Sequence, residues 1–174
     1  MHQIMKPHVS LLVTLTMCAL PGCAAAPPPK TEPWPTEPFT MHAKGTFDVT
    51  VTPQQADNPD AQAANISRLS LGKRFQGDLE ATSHGEMLAA GDGTKSGGYV
   101  AIERVTGALH GRTGSFMPLH SAMMKQGVPE RWSVAVVPDS GTDQLVDIDG
   151  TMTIVIADGK HHYEFAYTIR DASR

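Results

Sequence analysis

The residues from Thr40 to the C-terminus predict an all-β domain, a single antiparallel barrel of roughly eight strands. Three observations carry that expectation. Apolar and polar residues alternate with period two along one segment after another, the signature of strands with one face buried. The segments are bounded by Gly, Pro, Asn and Asp at short intervals, which are strand-ending turn signals. No stretch after Thr40 carries the 3.6-residue periodicity of an amphipathic helix.

The elements follow in order. Met41, Ala43, Gly45, Phe47, Val49 and Val51 share one face of a first strand, and His42, Lys44, Thr46, Asp48, Thr50 and Thr52 share the other. Residues 53–65 (PQQADNPDAQAAN) are polar and turn-rich, a loop with a short helical turn at its end. Leu69, Leu71 and Phe75 mark a second strand, Gly77-Asp78 a tight turn, and residues 79–90 a third strand. Residues 91–98 (GDGTKSGG) look like a phosphate cradle at first sight. Lys95 lacks phosphate-loop spacing and a strand follows, so the helix N-terminus that would hold an anion is missing. A hairpin loop is the better reading. Residues 99–109 form the fourth strand, 111–124 the fifth, 132–137 the sixth and 145–156 the seventh. Asp158-Gly159 is the strongest turn signal in the chain, and a two-residue Asp-Gly loop selects the type I′ turn that matches strand twist. It joins the seventh strand to an eighth carrying Tyr163, Phe165, Tyr167 and Ile169. A meander of this length removes its exposed edges by closing on itself. Eight strands enclose an interior that side chains fill or that holds one small ligand. A two-sheet sandwich is the alternative that alternation alone leaves open. A membrane-spanning barrel fits less well, because both faces carry charge and no strand shows an uninterrupted lipid-facing band.

The chain has 174 residues, 40% of them hydrophobic and 18% charged, with 16 glycines and 13 prolines. That is globular composition. A net charge of −4 argues against a nucleic-acid binder, which needs a basic face for phosphates.

Residues 1–22 read as an export signal. Lys6 supplies the positive start, and residues 8–20 (HVSLLVTLTMCAL) an uncharged apolar stretch too short to span a bilayer. Leu20-Pro21-Gly22-Cys23 resembles a bacterial lipobox, which implies cleavage before Cys23 and lipidation of its sulfur; Pro21 departs from the commonest residue there. The alternative is a plain secretory signal cut near Ala24-Ala25-Ala26. Residues 23–39 form a proline-rich tether, with six prolines from Ala24 to Phe39; proline fixes φ and lacks a donor, so this is an extended spacer. The organisation expected is thus a signal over 1–22, a tether over 23–39 and a barrel over 40–174. The place expected is the bacterial cell envelope, lipid-anchored or, with a plain signal, secreted or periplasmic and soluble. The only cysteines are Cys18 and Cys23, so the barrel has no thiol nucleophile and no disulfide.

Several runs in the barrel are distinctive: 43–47 (AKGTF), 98–107 (GYVAIERVTG), 109–116 (LHGRTGSF), His120, 136–142 (VVPDSGT) and 150–152 (GTM). With these the chain resembles a bacterial family of uncharacterised proteins, domain of unknown function 3224, from about Phe39 to Ile169. The resemblance implies an eight-stranded, calycin-like barrel similar to plant allene oxide cyclase. Likeness of fold does not carry cyclase chemistry with it.

Glu103 leads the candidate residues. It shares a face with Tyr99, Ala101 and Val105 in a mostly apolar strand, where a carboxylate is either paired or has its pKa raised by burial. It is either a general acid or base or half of a structural ion pair, with Arg112 or Arg104 as partner. His120 shares a face with Phe116 and Pro118 and lies one strand away, so the two can form an acid–histidine pair or His120 can be a core histidine satisfied by backbone. Tyr99, Arg112 and Phe116 are candidate ligand contacts: a hydrogen-bond donor, a fork for a carboxylate and an apolar wall. Arg112 follows a turn glycine, which suits a surface position equally. No metal site is expected. His161 and His162 point to opposite faces, and Asp147 with Asp149 supplies too few oxygens for a hard cation. No Gly-x-Ser-x-Gly elbow surrounds any serine. Two functions follow: a cofactor-free binding module for a small apolar or amphipathic ligand or a protein partner, or an isomerase- or cyclase-like enzyme using Glu103 and His120. Membrane contact is through the lipid anchor only, and a homo-oligomer through outer barrel faces is compatible with both.

Overall fold

The computed structural model describes residues 39–55, 57–92 and 95–170. The signal, Cys23 and all of the tether but Phe39 lie outside them. The elements are β1 (Met41–Pro53), α1 (Pro59–Ala63), β2 (Ile66–Gly77), β3 (Leu79–Asp92), β4 (Ser96–Leu109), β5 (Arg112–Phe116), β6 (Pro118–Lys125), β7 (Val128–Val136), a 3-10 turn (Asp143–Leu145), β8 (Ile148–Ala157) and β9 (Lys160–Ile169). Every pairing is antiparallel. The order is β3-β2-β1-β9-β8-β7-β6-β4, and β3 pairs with β4 to close the ring. A sandwich is thereby excluded, and the barrel has eight strands with β5 as an extra one.

The fifth strand expected from the sequence is two strands. The C-terminal half of β4 pairs with β5, from Val105↔Phe116 to Leu109↔Arg112, while its N-terminal half pairs with β6, from Gly97↔Met124 to Ile102↔Leu119. The break falls at Met117. Its N–H donates to Ser140 Oγ at 3.0 Å and its carbonyl accepts from Val137 N at 2.8 Å, so both groups leave the ladder, and Pro118 has no N–H to restore it. The seventh strand also begins later than expected. Asp143 and Asp147 take left-handed backbone, with φ of 53° and 59°. They bracket a turn that drives Leu145 into the core at 1% exposure. Asp147 therefore lies in a turn, and it does not form a strand face with Asp149.

The hairpin at Asp158-Gly159 has φ of 52° and 71°, the two positive values a type I′ turn requires. His110-Gly111 and Gln126-Gly127 repeat the device, with φ of 47° and 79°, and 52° and 78°. Asn58 caps the short α1 by accepting from Asp60 N.

The inward rows are sealed at one end and exposed at the other. At the sealed end Phe116, Phe165 and Tyr167 stack with centroid spacings of 5.5 and 5.1 Å. Leu79, Val105, Leu109 and Ile148 fill the space around them. Towards the opposite end the row of β1 runs from buried Phe47 to Val49 and Val51, 36% and 42% exposed. The row of β8 likewise ends on Ile156 at 54%. The candidate site lies between the two ends.

Candidate functional site

Four neighbouring strands each contribute one polar side chain to the interior: Lys73 from β2, Ser83 from β3, Glu103 from β4 and His120 from β6. Register brings them together. Lys73 stands opposite Ser83, and His120 opposite Ala101, two residues before Glu103. Glu103 itself faces Gly85. A Cβ at position 85 would lie 2.5 Å from Glu103 Cβ and 2.2 Å from the Ile102 carbonyl oxygen, so glycine is what lets the Glu103 backbone approach this closely.

Glu103 is paired, with a different cation from those expected. Lys73 Nζ donates to Glu103 Oε1 at 2.5 Å, and Ser83 Oγ donates to Oε2 at 2.5 Å. The Lys73 and Glu103 side chains are 7% and 1% exposed. Such a pair needs these extra bonds, because desolvating two charges costs several kcal/mol each. The rings of Phe47 and Phe75 add to the support of Lys73, with Nζ 5.1 and 5.9 Å from their centroids.

Neither arginine reaches this cluster. Arg104 alternates to the outer face, where it donates to Ser115 Oγ at 3.0 Å and touches Met117 Sδ at 3.2 Å. Arg112 opens β5 at the sealed end, close enough to Tyr167 to act on its hydroxyl electrostatically. Phe116 is also at the sealed end, 1% exposed and stacked on Phe165. Tyr99 does border the cluster. Its ring meets His120 edge-on at 5.6 Å, and its hydroxyl accepts from Trp132 Nε1 at 3.0 Å. Burial pushes the Tyr99 phenol up, against the Trp132 hydrogen bond, with the Glu103 charge adding to the rise.

His120 is the member with unused capacity. Its Nε2 is buried, lies 3.5 Å from Glu103 Oε1 and has no hydrogen-bond partner. Burial first, and the Lys73 charge second, lower its pKa to about 4, against the opposing pull of Glu103. The imidazole is therefore neutral at pH 7. Each Glu103 oxygen already accepts a bond, whereas the histidine Nε2 is left without a partner. Among the described residues no group of three or more His, Cys, Asp or Glu side chains is placed to hold a metal ion. His161 stacks on Phe47 at 4.9 Å.

Lys73, Ser83 and Trp132 were not singled out from the sequence. A signal existed for Lys73, which sits between Leu71 and Phe75 on the inward parity of β2.

Residues 43–167 match the family described as "Protein of unknown function (DUF3224)". A crystal structure of a DUF3224-family protein of unknown function from Shewanella oneidensis MR-1 is similar at 42% sequence identity and a TM-score of 0.69. The match covers 77% of this chain and 100% of that one. No curated protein matches the chain.

Proposed function

Because this chain belongs to the DUF3224 family, which brings a barrel and no assigned activity, we propose that it is a binding module. The barrel takes a small apolar or amphipathic ligand through its open end. The observation that carries this reading is the orphan Nε2 of His120. Native interiors pair nearly all their buried polar atoms, and an exception marks a place where a further polar atom belongs. A ligand whose polar atom meets His120 and whose apolar body runs past Tyr99 and Trp132 towards Val49, Val51 and Ile156 satisfies both halves of the interior. The module works in the bacterial envelope, held by a lipid on Cys23 at the end of its proline tether, and nucleic acid is not its partner.

Native mass spectrometry of the full chain, released from its host membrane in mild detergent, tests this. The expected result is a bound mass lost on unfolding, reduced at least tenfold in occupancy by His120→Phe. A wild-type protein that is always free of bound mass would overturn the reading. Replacing Cys23 by Ser should move the protein from the membrane to the soluble fraction; an unchanged distribution would remove the anchor.

The 3.5 Å approach of His120 to Glu103 favours one second reading, a cofactor-free isomerase or cyclase. On that reading Glu103→Gln abolishes turnover of the recovered ligand while leaving its binding intact. The engagement of both Glu103 oxygens by Lys73 and Ser83 supports binding over catalysis.

A further inference from the structure

We propose that the outer face of the barrel holds a second binding site, for a single-chain anionic amphiphile of the fatty-carboxylate class. A groove of about 610 Å³ crosses the outer face from β2 to β6 and ends at Arg131. Ile66, Leu88, Val100 and Met123 line it, and each is exposed, from 38% to 56%. Apolar side chains of this size gathered on an outer sheet face are uncommon on a soluble domain and mark a place of contact. Four strands at about 4.8 Å spacing give a track of roughly 15 Å, which suits an extended acyl chain.

Arg131 supplies the charge that names the ligand's head. The β6–β7 register shifts between Ser121 and Met123, which pair with Ser133 and Glu130. Arg131 and Trp132 together therefore oppose Ala122 alone, a β-bulge. Bulges of this kind re-aim side chains, and their first residue in left-handed backbone is ordinarily glycine. Here it is an arginine, at φ 50°. A bulky residue held in that conformation is strained and is characteristic of functional positions. The bulge turns Trp132 inward to Tyr99 and leaves Arg131 on the groove.

Arg68, on the same face, is already neutralised. Arg68 donates to both oxygens of Glu86, at 2.9 and 2.6 Å, and to Asp57 at 2.7 Å. Among the described residues Arg131 makes no ion pair or side-chain hydrogen bond. Glu130, opposite Met123 in the ladder, does not line the groove. An apolar track that ends on one uncompensated guanidinium is complementary to a chain with one anionic head.

The test is titration calorimetry of the full chain with decanoate and with 1-decanol, at fixed ionic strength and below micelle formation. Wild-type protein is expected to bind one decanoate at least tenfold more tightly than decanol. Arg131→Gly is expected to fold normally, because glycine suits φ 50°. It should lower decanoate affinity to the level of decanol and leave decanol unchanged, whereas His120→Phe should leave both unchanged. Three results would overturn the proposal: no decanoate binding, decanoate binding that survives Arg131→Gly and disappears in His120→Phe, or binding to phosphatidylglycerol vesicles with none of free decanoate. The second would place the ligand inside the barrel, and the third would make this face a membrane contact.

Discussion

The two halves of the barrel interior are built by opposite means. Below Glu103 the inward rows carry Phe116, Phe165, Tyr167, Leu79 and Leu109, all close to fully buried. Their cohesion is area and aromatic contact. Nearer the other end, the interior carries Lys73, Ser83, Glu103 and His120, equally shut from water. An aliphatic set of the same volume there would hold the strands at least as well, since buried ion pairs seldom outdo the apolar residues that could replace them. The polar layer is therefore poorly explained as a stability device. It stands where the sealed core gives way to the exposed rows of Val49, Val51 and Ile156, which is where a floor for a bound molecule belongs.

The largest effects expected come from breaking each half singly. Phe165→Ala at the sealed end should cost about 3–5 kcal/mol, from lost transfer energy and the cavity left behind. Lys73→Ala should cost a similar 3–5 kcal/mol for a different reason, since it leaves Glu103 buried without its cation. The double replacement Lys73→Met with Glu103→Leu separates the two. It should return stability to wild type or raise it by about 1–4 kcal/mol while abolishing ligand retention. Urea denaturation of the three variants reads the stabilities. A double variant as unstable as Lys73→Ala would show the polar layer to be structural.

The pH dependence sharpens the contrast. Among the described residues only the polar layer holds a histidine whose pKa falls to about 4, from an ordinary 6.5. Above pH 6.5 the imidazole is neutral in both the folded and unfolded chain and contributes no slope. Between pH 6.5 and 4 the unfolded chain binds the proton and the folded one does not, so stability falls as pH falls. The full drop is about 3 kcal/mol, because each tenfold difference in proton affinity between the two states is worth about 1.4 kcal/mol. His120→Phe should remove this component. The measurement is the difference in unfolding free energy between wild type and variant at pH 7 and pH 4.5, and a difference that does not change with pH would refute the assignment.

The sealed half was the more legible in sequence, because apolar parity writes it directly: Phe47, Phe75, Phe165 and Tyr167 fall inward by counting alone. The same counting put Glu103 and His120 inside. It could not name the partners of Glu103, because Lys73 is 30 residues away and two strands over, and Ser83, 20 residues away across the β3–β4 hairpin, is brought to it by a strand register that parity alone does not fix. Arg104 and Arg112 were attractive as neighbours in the chain, yet one alternates outward and the other sits at the far end of the interior. The break between β5 and β6 was hidden for a similar reason, since it is set by bonds from Met117 to Val137 and Ser140. Arg131 was invisible because a bulge cannot be read from alternation.

The smallest effect compares the turns at the two ends. His110-Gly111 at the sealed end and Asp158-Gly159 at the open end share a type I′ backbone. They differ in what the first side chain does. His110 Nδ1 lies 2.7 Å from the hydroxyl of buried Tyr167, whereas no side-chain bond ties Asp158 to the barrel among the described residues. Asparagine tolerates left-handed backbone, so placing it at each position keeps the turn and isolates the side chain. Asp158→Asn should stay within about 0.5 kcal/mol of wild type. His110→Asn is too short to reach Tyr167 and should cost about 1–1.5 kcal/mol for the lost hydrogen bond. Thermal unfolding of the pair decides it. Equal midpoints would mean that the sealed end owes its closure to the aromatic stack alone, and a lower midpoint for His110→Asn would add the Tyr167–His110 bond to what seals it.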